Sequence, residues 1–138
     1  MHIQPYVFFD GQCEEALRFY GEKLGAQVLF QMRYKDAPPD TGREADPKTD
    51  DMIMHASVKF GEAIVMMSDD CMSESVTHTG FNLSLHADNA ADAEKYFNAL
   101  AEGGQIRLPF QATFWSKGFG MLTDRFGIGW MVSVPEEH

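Results

Sequence analysis

Residues 13–25 read CEEALRFYGEKLG and have the apolar spacing of an amphipathic helix. Their apolar side chains recur three and four residues apart, which places them on one helix face: Cys13, Ala16, Leu17, Tyr20 and Leu24. Glu14 and Glu15 fall in the first turn, where carboxylates interact favourably with the helix dipole. Gly25 is the residue type that commonly ends a helix. The segment therefore predicts a helix that buries one face.

A second helix with the same pattern follows in the other half of the chain. Residues 90–101 come after Asn89, a good N-cap, and again carry apolar side chains on one face. A shift of 77 residues lays Tyr20 on Phe97, and a shift of 66 relates the later strands of the two halves. We interpret this pattern as an internal repeat, in which the first half contains an additional loop.

Short β-branched and aromatic runs flank both helices and predict strands. The predicted strands are residues 5–9, 27–34, 52–60 and 63–68 in the first half, and 81–87, 105–109, 121–124 and 129–135 in the second. Residues 35–51 predict a long polar loop, and residues 116–120 a turn.

The order of these elements predicts an α+β fold built from two βαβββ modules. Helices that alternated with single strands would instead predict a parallel sheet. We expect one domain over residues 1–138, with modules at 1–69 and 81–138 and a connector at 70–80.

The chain is acidic, with 11 Lys and Arg against 21 Asp and Glu and a net charge of -10. Nucleic acids and anionic membranes are bound mainly through Lys and Arg, so neither is an expected partner. The apolar run at residues 6–9 is far too short for a signal peptide or a membrane span. Cys13 and Cys71 are too few for a disulfide scaffold, and we expect both to be reduced and partly buried. These features predict a cytoplasmic protein.

Several segments resemble one known family. They are EALRFY at 15–20, LGA at 24–26, PYVFF at 5–9, GEAIVMMSD at 61–69, TFW at 113–115, GFG at 118–120 and DRFGIGWM at 124–131. Together they resemble the PhnB-like branch of the vicinal oxygen chelate superfamily, which includes glyoxalase I, bleomycin-resistance proteins and extradiol dioxygenases. The resemblance covers nearly the whole chain. It implies two sheets, each curled into a half-barrel around a cavity, and a homodimer. Because this fold carries both enzymes and passive binders, the resemblance does not assign the chemistry.

Metal-dependent members of this superfamily hold one divalent ion with four side chains, taken from the first and last strands of each half. In this sequence the corresponding positions fall on Pro5, Val65, Asn82 and Met131. Divalent ions of this kind need imidazole or carboxylate ligands, and none of the four residues provides one. We therefore expect neither the family's metal site nor a cofactor.

Strand alternation predicts which side chains face the cavity. The predicted cavity side consists of Val7, Phe9, His55, Ser57, Met67, Asn82, Ser84, His86, Met131 and Ser133. Trp115 lies in a Gly-rich turn region, where it would cap a pocket by stacking on a flat ligand. Trp130 shares a strand face with Val132 and is expected to pack in the core. The predicted ligand-binding residues are His55, Met67, Asn82, His86, Trp115 and Met131.

Candidate general bases are His55, His86 and Asp69, but no partner at an informative spacing supports a catalytic role for any of them. Our main hypothesis is a protein that binds a small, partly aromatic or cationic molecule in its cavity without the usual metal. The alternative is a metal-dependent isomerase, lyase or dioxygenase that takes its ligands from His55, His86 or Gln4. A third hypothesis is a cavity filled by its own side chains, in a protein that acts through its surface.

Overall fold

Each half of the chain folds into one helix and one four-stranded mixed sheet. The computed structural model describes residues 1–38, 45–70 and 75–135. The chain forms two compact units, residues 1–76 and 77–138, and each has the order strand, helix, strand, strand, strand. The predicted α+β class and the paired βαβββ architecture are confirmed.

The first unit contains four strands and helix α1. The elements are β1 Tyr6–Phe9, α1 Cys13–Leu24, β2 Gln27–Arg33, β3 Ile53–Phe60 and β4 Ala63–Asp69. Across the sheet the strand order is β1-β4-β3-β2. Strands β1 and β4 are parallel, and the other neighbours are antiparallel. A short 3₁₀ helix, Tyr34–Asp36, follows β2.

The second unit has the same architecture. Its elements are β5 Leu83–His86, α2 Ala90–Ala101, β6 Gln105–Gln111, β7 Phe119–Thr123 and β8 Gly129–Ser133. The strand order is β5-β8-β7-β6, again with a parallel first pair and antiparallel neighbours. None of the helices among the described residues is long and apolar enough to cross a membrane.

The two units repeat each other with the offsets found in the sequence. Helices α1 and α2 begin and end 77 residues apart, and so do β1 and β5. Strands β3 and β7 begin 66 residues apart, as do β4 and β8. The predicted internal repeat is confirmed.

The two helices begin in different ways. Asn89 caps α2 with its own side chain, since Oδ1 accepts a hydrogen bond of 2.8 Å from the backbone N of Asp92. Gln12 precedes α1 and makes no such bond with its side chain. The backbone N of Cys13 instead donates to Oδ1 of Asp69, at the end of β4. At the other end of α1, Gly25 has the positive φ of 71° expected of a C-terminal stop.

The core of each unit lies between its helix and one face of its sheet. In the first unit, the ring of Tyr20 in α1 contacts that of Phe60 in β3, with centroids 5.7 Å apart. Val58 lies on the same face of β3 and is fully buried. In the second unit, the ring of Phe97 in α2 lies where a side chain on Gly120 of β7 would point. We call these the helix-covered faces, and the opposite faces of the two sheets the open faces.

Two strands of the second unit differ from the prediction. Strand β6 continues beyond Pro109 to Gln111. A proline is tolerated there because β6 is the edge strand, so the missing N–H need not enter the ladder. Strand β7 begins at Phe119, inside the predicted turn at 116–120, and the glycines of this segment lie close to the rings of α2 and β6.

Strict alternation also fails at the start of β3. Alternation along β3 would place Ile53 on the same face as His55, but Ile53 is completely buried. The pairing of β2 with β3 is irregular between Met32 and Arg33, and this bulge turns Ile53 into the core. The predicted loop at 35–51 and connector at 70–80 are described only in part, because residues 39–44 and 71–74, including Cys71, lie outside the described residues.

Candidate functional site

The open face of the first sheet carries a cluster of aromatic rings around one histidine. Tyr6 pairs with Met66, and Met66 pairs with Ser57, so these residues share a face. Phe30 also pairs with Ser57. His55 lies two residues before Ser57, on the same side of β3. We call Tyr6, Phe8, Phe30, His55 and Ser68 the aromatic cluster.

The rings of this cluster contact one another directly. The centroid of Tyr6 lies 5.0 Å from that of Phe8 and 5.8 Å from that of His55. On the other side of the imidazole, the centroid of Phe30 lies 6.1 Å away. Tyr6, Phe8 and Phe30 are nevertheless 41–47% exposed as residues. The cluster is therefore an ordered apolar surface that no described residue covers completely.

Two hydrogen bonds join the polar groups of the cluster. The hydroxyl of Tyr6 donates to Oγ of Ser68 at 3.1 Å, and it lies 3.3 Å from Nδ1 of His55. Ser68 is buried, whereas His55 keeps part of its ring accessible. The arrangement fixes the orientation of His55 and leaves Nε2 as its remaining polar atom. This geometry gives a bound molecule one hydrogen-bonding group beside a hydrophobic wall.

The prediction that Met67, Val7 and Phe9 face the cavity is wrong. Met67 pairs with both Val7 and Ala56, and all of them are buried on the helix-covered face. All four residues of β1 are apolar or aromatic, so alternation could not show which face the helix covers. The hydroxyl of Tyr6 was the one feature of β1 that indicated which side faces outward, because a tyrosine buried in the core needs a hydrogen-bond partner for its hydroxyl.

Asp69 is likewise not placed to act as a general base. It is buried, its Oδ1 accepts from the backbone N of Cys13 at 2.9 Å, and its Oδ2 accepts from that of Ile53 at 3.0 Å. The carboxylate therefore joins the start of α1 to the start of β3, inside the core of the first unit.

On the open face of the second sheet, His86 bonds to two serines. Its Nε2 lies 3.2 Å from Oγ of Ser84, and its Nδ1 lies 3.0 Å from Oγ of Ser133. Both serines lie on this face, because Ser84 pairs with Met131 and His86 pairs with Ser133. His86 also lines a pocket of about 520 Å³ at the end of β5, together with Asp88, Asn89, Lys117 and Pro135.

Trp115 lies beside the same row of residues. Its ring centroid is 5.5 Å from that of Phe119, and Phe119 pairs with Ser133 across the open face. Trp115 is 45% exposed. The structure thus brings Trp115 near His86 through Phe119 and Ser133. Trp130 is buried, as predicted, and its Nε1 donates to Oδ2 of Asp124 at 2.9 Å.

Asn82 has a partner that the sequence reasoning missed. Its Oδ1 accepts a hydrogen bond of 2.6 Å from Nη2 of Arg107, which also donates to the carbonyl of Leu122 at 2.9 Å. Arg107 follows Ile106 at an irregularity in the pairing of β6 with β7. Because of this irregularity, alternation could not predict to which face of the sheet the side chain of Arg107 points. Arg107 is the one positively charged residue of β6, and this was the feature of the sequence that could have drawn attention to it.

The residues at the superfamily's metal positions do not fit a divalent ion. Val65 pairs with Val58 on the helix-covered face, and Asn82 is bonded to a guanidinium. Among the described strand residues of the open faces, only His55 in the first unit and His86 in the second carry an imidazole. Within the described ranges, no three His, Cys, Asp or Glu side chains are close enough to hold a metal together. The donor chemistry is thus unlike the imidazole and carboxylate set that such ions require.

The resolved pKa shifts belong to groups outside the open faces. A hydrogen bond from Arg33, 2.6 Å long, lowers the pKa of Glu14 and raises that of Arg33 itself. A hydrogen bond to Asp51 raises the pKa of Lys35. Burial, followed by the charge of Asp69, raises the pKa of the Cys13 thiol far above its usual range. Cys13 is a free, buried cysteine, as predicted.

Two βαβββ units with mixed sheets define the glyoxalase type of fold. A model of the Glyoxalase/Bleomycin resistance protein/Dioxygenase superfamily matches residues 2–132. The chain belongs to this superfamily, and the predicted membership is confirmed.

Three relatives illustrate the range of similarity. Protein YjdN from Escherichia coli (strain K12) is 34% identical over 143 residues, which cover 99% of this chain and 97% of that protein. The crystal structure of protein PA1353 from Pseudomonas aeruginosa is 38% identical, with a TM-score of 0.87 and 99% of both chains covered. The PhnB protein from Bacillus cereus shares the fold at a TM-score of 0.80 and 24% identity, with 97% of this chain and 99% of that chain covered.

Proposed function

We propose that this protein binds a small, partly aromatic or cationic molecule on the open face of its first unit, without the usual metal of the superfamily. The observation that carries the proposal is the aromatic cluster. Its rings are held in place by mutual contacts, yet Tyr6, Phe8 and Phe30 each keep close to half of their surface exposed.

The chemistry of this surface selects a class of ligand. Exposed ring faces attract flat rings through stacking, and they attract quaternary or protonated amines through cation–π interactions. His55 and Ser57 add polar groups beside the rings, as is usual in sites for small molecules. The net charge of -10 favours the approach of cations over that of anions from solution.

The metal-dependent alternative would need ligands in addition to His55. Among the described residues of the first unit, this imidazole contacts the rings of Tyr6 and Phe30, and Met32 is its cross-strand partner. None of them is a preferred ligand of zinc or nickel. No contact of His55 with a described residue favours this alternative, so a binding function is the better supported of the two.

The proposal can be tested by titrating the full chain with benzyltrimethylammonium and following backbone amide shifts by NMR. We expect saturable shifts around Phe30 and His55, and binding about tenfold weaker in Phe30→Ala, because a cation–π contact and its buried area are lost. The matched control is Phe81→Ala, since Phe81 is also 47% exposed but lies in the second unit. Equal loss of binding in both variants, or no saturable shift in the unmodified chain, would refute the proposal.

We further propose that the protein acts in the cytoplasm as a homodimer. The free, buried thiol of Cys13 is typical of proteins from reducing compartments. Edge strand β2 exposes Val28 and Leu29 at 43% and 53%, and an exposed apolar edge is a common place for a second copy to pair. Sedimentation velocity of the unmodified chain and of Leu29→Lys tests the dimer. Dissociation is expected in the variant alone, and a monomeric unmodified chain would refute it.

A further inference from the structure

The open face of the second unit carries a guanidinium that has no carboxylate partner among the described residues. Arg107 uses Nη2 for its bonds to Asn82 and to the carbonyl of Leu122. Over the described residues, its Nη1 and Nε donate no hydrogen bond, and no carboxylate lies within ion-pair distance of it. By contrast, Arg33 is paired with Glu14 at 2.6 Å. An arginine without a carboxylate partner stands out in a chain with a net charge of -10.

Gly129 shows where this guanidinium lies. A Cβ atom built on Gly129 would meet Oδ1 of Asn82 and would come within 3.0 Å of Nη2 of Arg107. Gly129 alternates with Met131 and Ser133 along β8, so its missing side chain would point to the open face. The Arg107–Asn82 pair therefore occupies the open face directly beside Met131.

The described residues next to the pair in the sheet register are uncharged. Its neighbours along the open face are Met131, Met121 and the hydroxyls of Ser84 and Thr123, since Ser84 pairs with Met131, Met131 with Met121 and Gly129 with Thr123. These groups supply hydrogen bonds and apolar contact area but no negative charge. Although Arg107 is exposed, its guanidinium is held by two hydrogen bonds and can donate charge-assisted hydrogen bonds to an anionic oxygen.

We propose that Arg107 and Asn82 form a binding site for an oxyanion, such as a carboxylate, phosphonate or phosphate group, of a small ligand whose apolar part lies on Met131 and Met121. Nη1 and Nε of Arg107 donate to the anion, and the amide of Asn82 holds the guanidinium in position. This inference goes beyond the function proposed above, because it concerns a different ligand chemistry on the second unit.

The test uses the ¹⁵N-labelled full chain, with phenylphosphonate as the anionic probe and benzyl alcohol as its neutral counterpart. We expect phenylphosphonate to give saturable shifts at Arg107, Asn82 and Met131, with weaker binding as the salt concentration rises. Benzyl alcohol should bind at least tenfold more weakly, since it lacks the charged hydrogen bonds.

The decisive comparison is between Arg107→Gln and the control variant Arg125→Gln. Arg107→Gln is expected to weaken phenylphosphonate binding by about tenfold or more, while Arg107→Lys keeps the charge and retains part of the affinity. Arg125→Gln is the matched control, because Arg125 is also exposed and donates to the carbonyl of Glu102. Equal affinity in Arg107→Gln and Arg125→Gln, or absence of saturable binding in the unmodified chain, would overturn the proposal. Neither result would affect the benzyltrimethylammonium test on the first unit.

Discussion

Replacement of Asp69 by asparagine should destabilise the first unit strongly, because this buried carboxylate holds two backbone amides. Oδ1 accepts from Cys13 at the start of α1, and Oδ2 accepts from Ile53 at the start of β3. Asparagine keeps one acceptor but presents an NH₂ group to the other amide. A hydrogen bond to a charged group contributes about 1.5–3 kcal/mol, and an unpaired buried donor adds about 1–3 kcal/mol.

We therefore expect Asp69→Asn to lower the free energy of unfolding by about 2.5–6 kcal/mol and the Tm by roughly 10 °C or more. Urea denaturation followed by circular dichroism measures the first quantity. Hydrogen exchange of the Cys13 and Ile53 amides reports on the local effect, and both should exchange faster in the variant. Asp10→Asn is the control, since Asp10 is exposed and an exposed substitution usually changes stability by less than about 0.5 kcal/mol. Equal stability of the two variants, or unchanged exchange at both amides, would refute the reasoning.

Three further outcomes are expected. Trp130→Phe removes the indole N–H that binds Asp124 in the core, and should cost about 1.5–3 kcal/mol in a urea titration. Cys13 should not react with iodoacetamide at pH 8 in the folded chain, because burial keeps its thiol protonated, and mass spectrometry should detect alkylation only after unfolding. The pKa of Glu14 is lower in the folded chain than its unfolded value of 4.5, so the ion pair stabilises the fold above pH 4.5. This stabilisation is lost as the pH falls through the pKa of the folded chain. Arg33→Gln should remove this part of the pH dependence of Tm.

Each of these outcomes has a matched control. Trp115→Phe changes an exposed indole and should leave stability nearly unchanged, so an equal cost in both tryptophan variants would contradict the role of the Asp124 bond. The alkylation experiment uses a Cys71→Ser background, and rapid labelling of the folded chain would contradict an inert Cys13. For Glu14, the effect is small because the side chain is 45% exposed, and a pH profile that is identical in Arg33→Gln would contradict the ion pair as its source.

Local signals in the sequence were sufficient for the helices and for the repeat. The apolar spacing, the N-cap Asn89 and the stop at Gly25 gave the bounds of both helices, because these features act within a few residues. The strand order was not contained in any local signal. It depends on the parallel pairing of β1 with β4 and of β5 with β8, which joins strands that are far apart in the sequence.

The candidate site was predicted less well, for identifiable reasons. His55 and Met131 lie on the open faces as alternation predicts, but Met67 lies on the covered face, because β1 and β4 carry apolar side chains on both sides. Arg107 escaped prediction since it sits at an irregularity of its strand. The direction of Tyr6 likewise follows from a register that only the folded sheet defines.

The different hydrogen bonds at the amino ends of the two helices affect how the chain folds during its synthesis. In α2, the side chain of Asn89 accepts a hydrogen bond from an amide only three residues later in the sequence. In α1, the amide of Cys13 donates to the carboxylate of Asp69, which is 56 residues further on. On the ribosome, the second helix can therefore close its amino end as soon as its own segment emerges. The first helix closes only once residue 69 has left the exit tunnel, so a nascent chain that stops short of that point carries an open helix end that water and chaperones can reach.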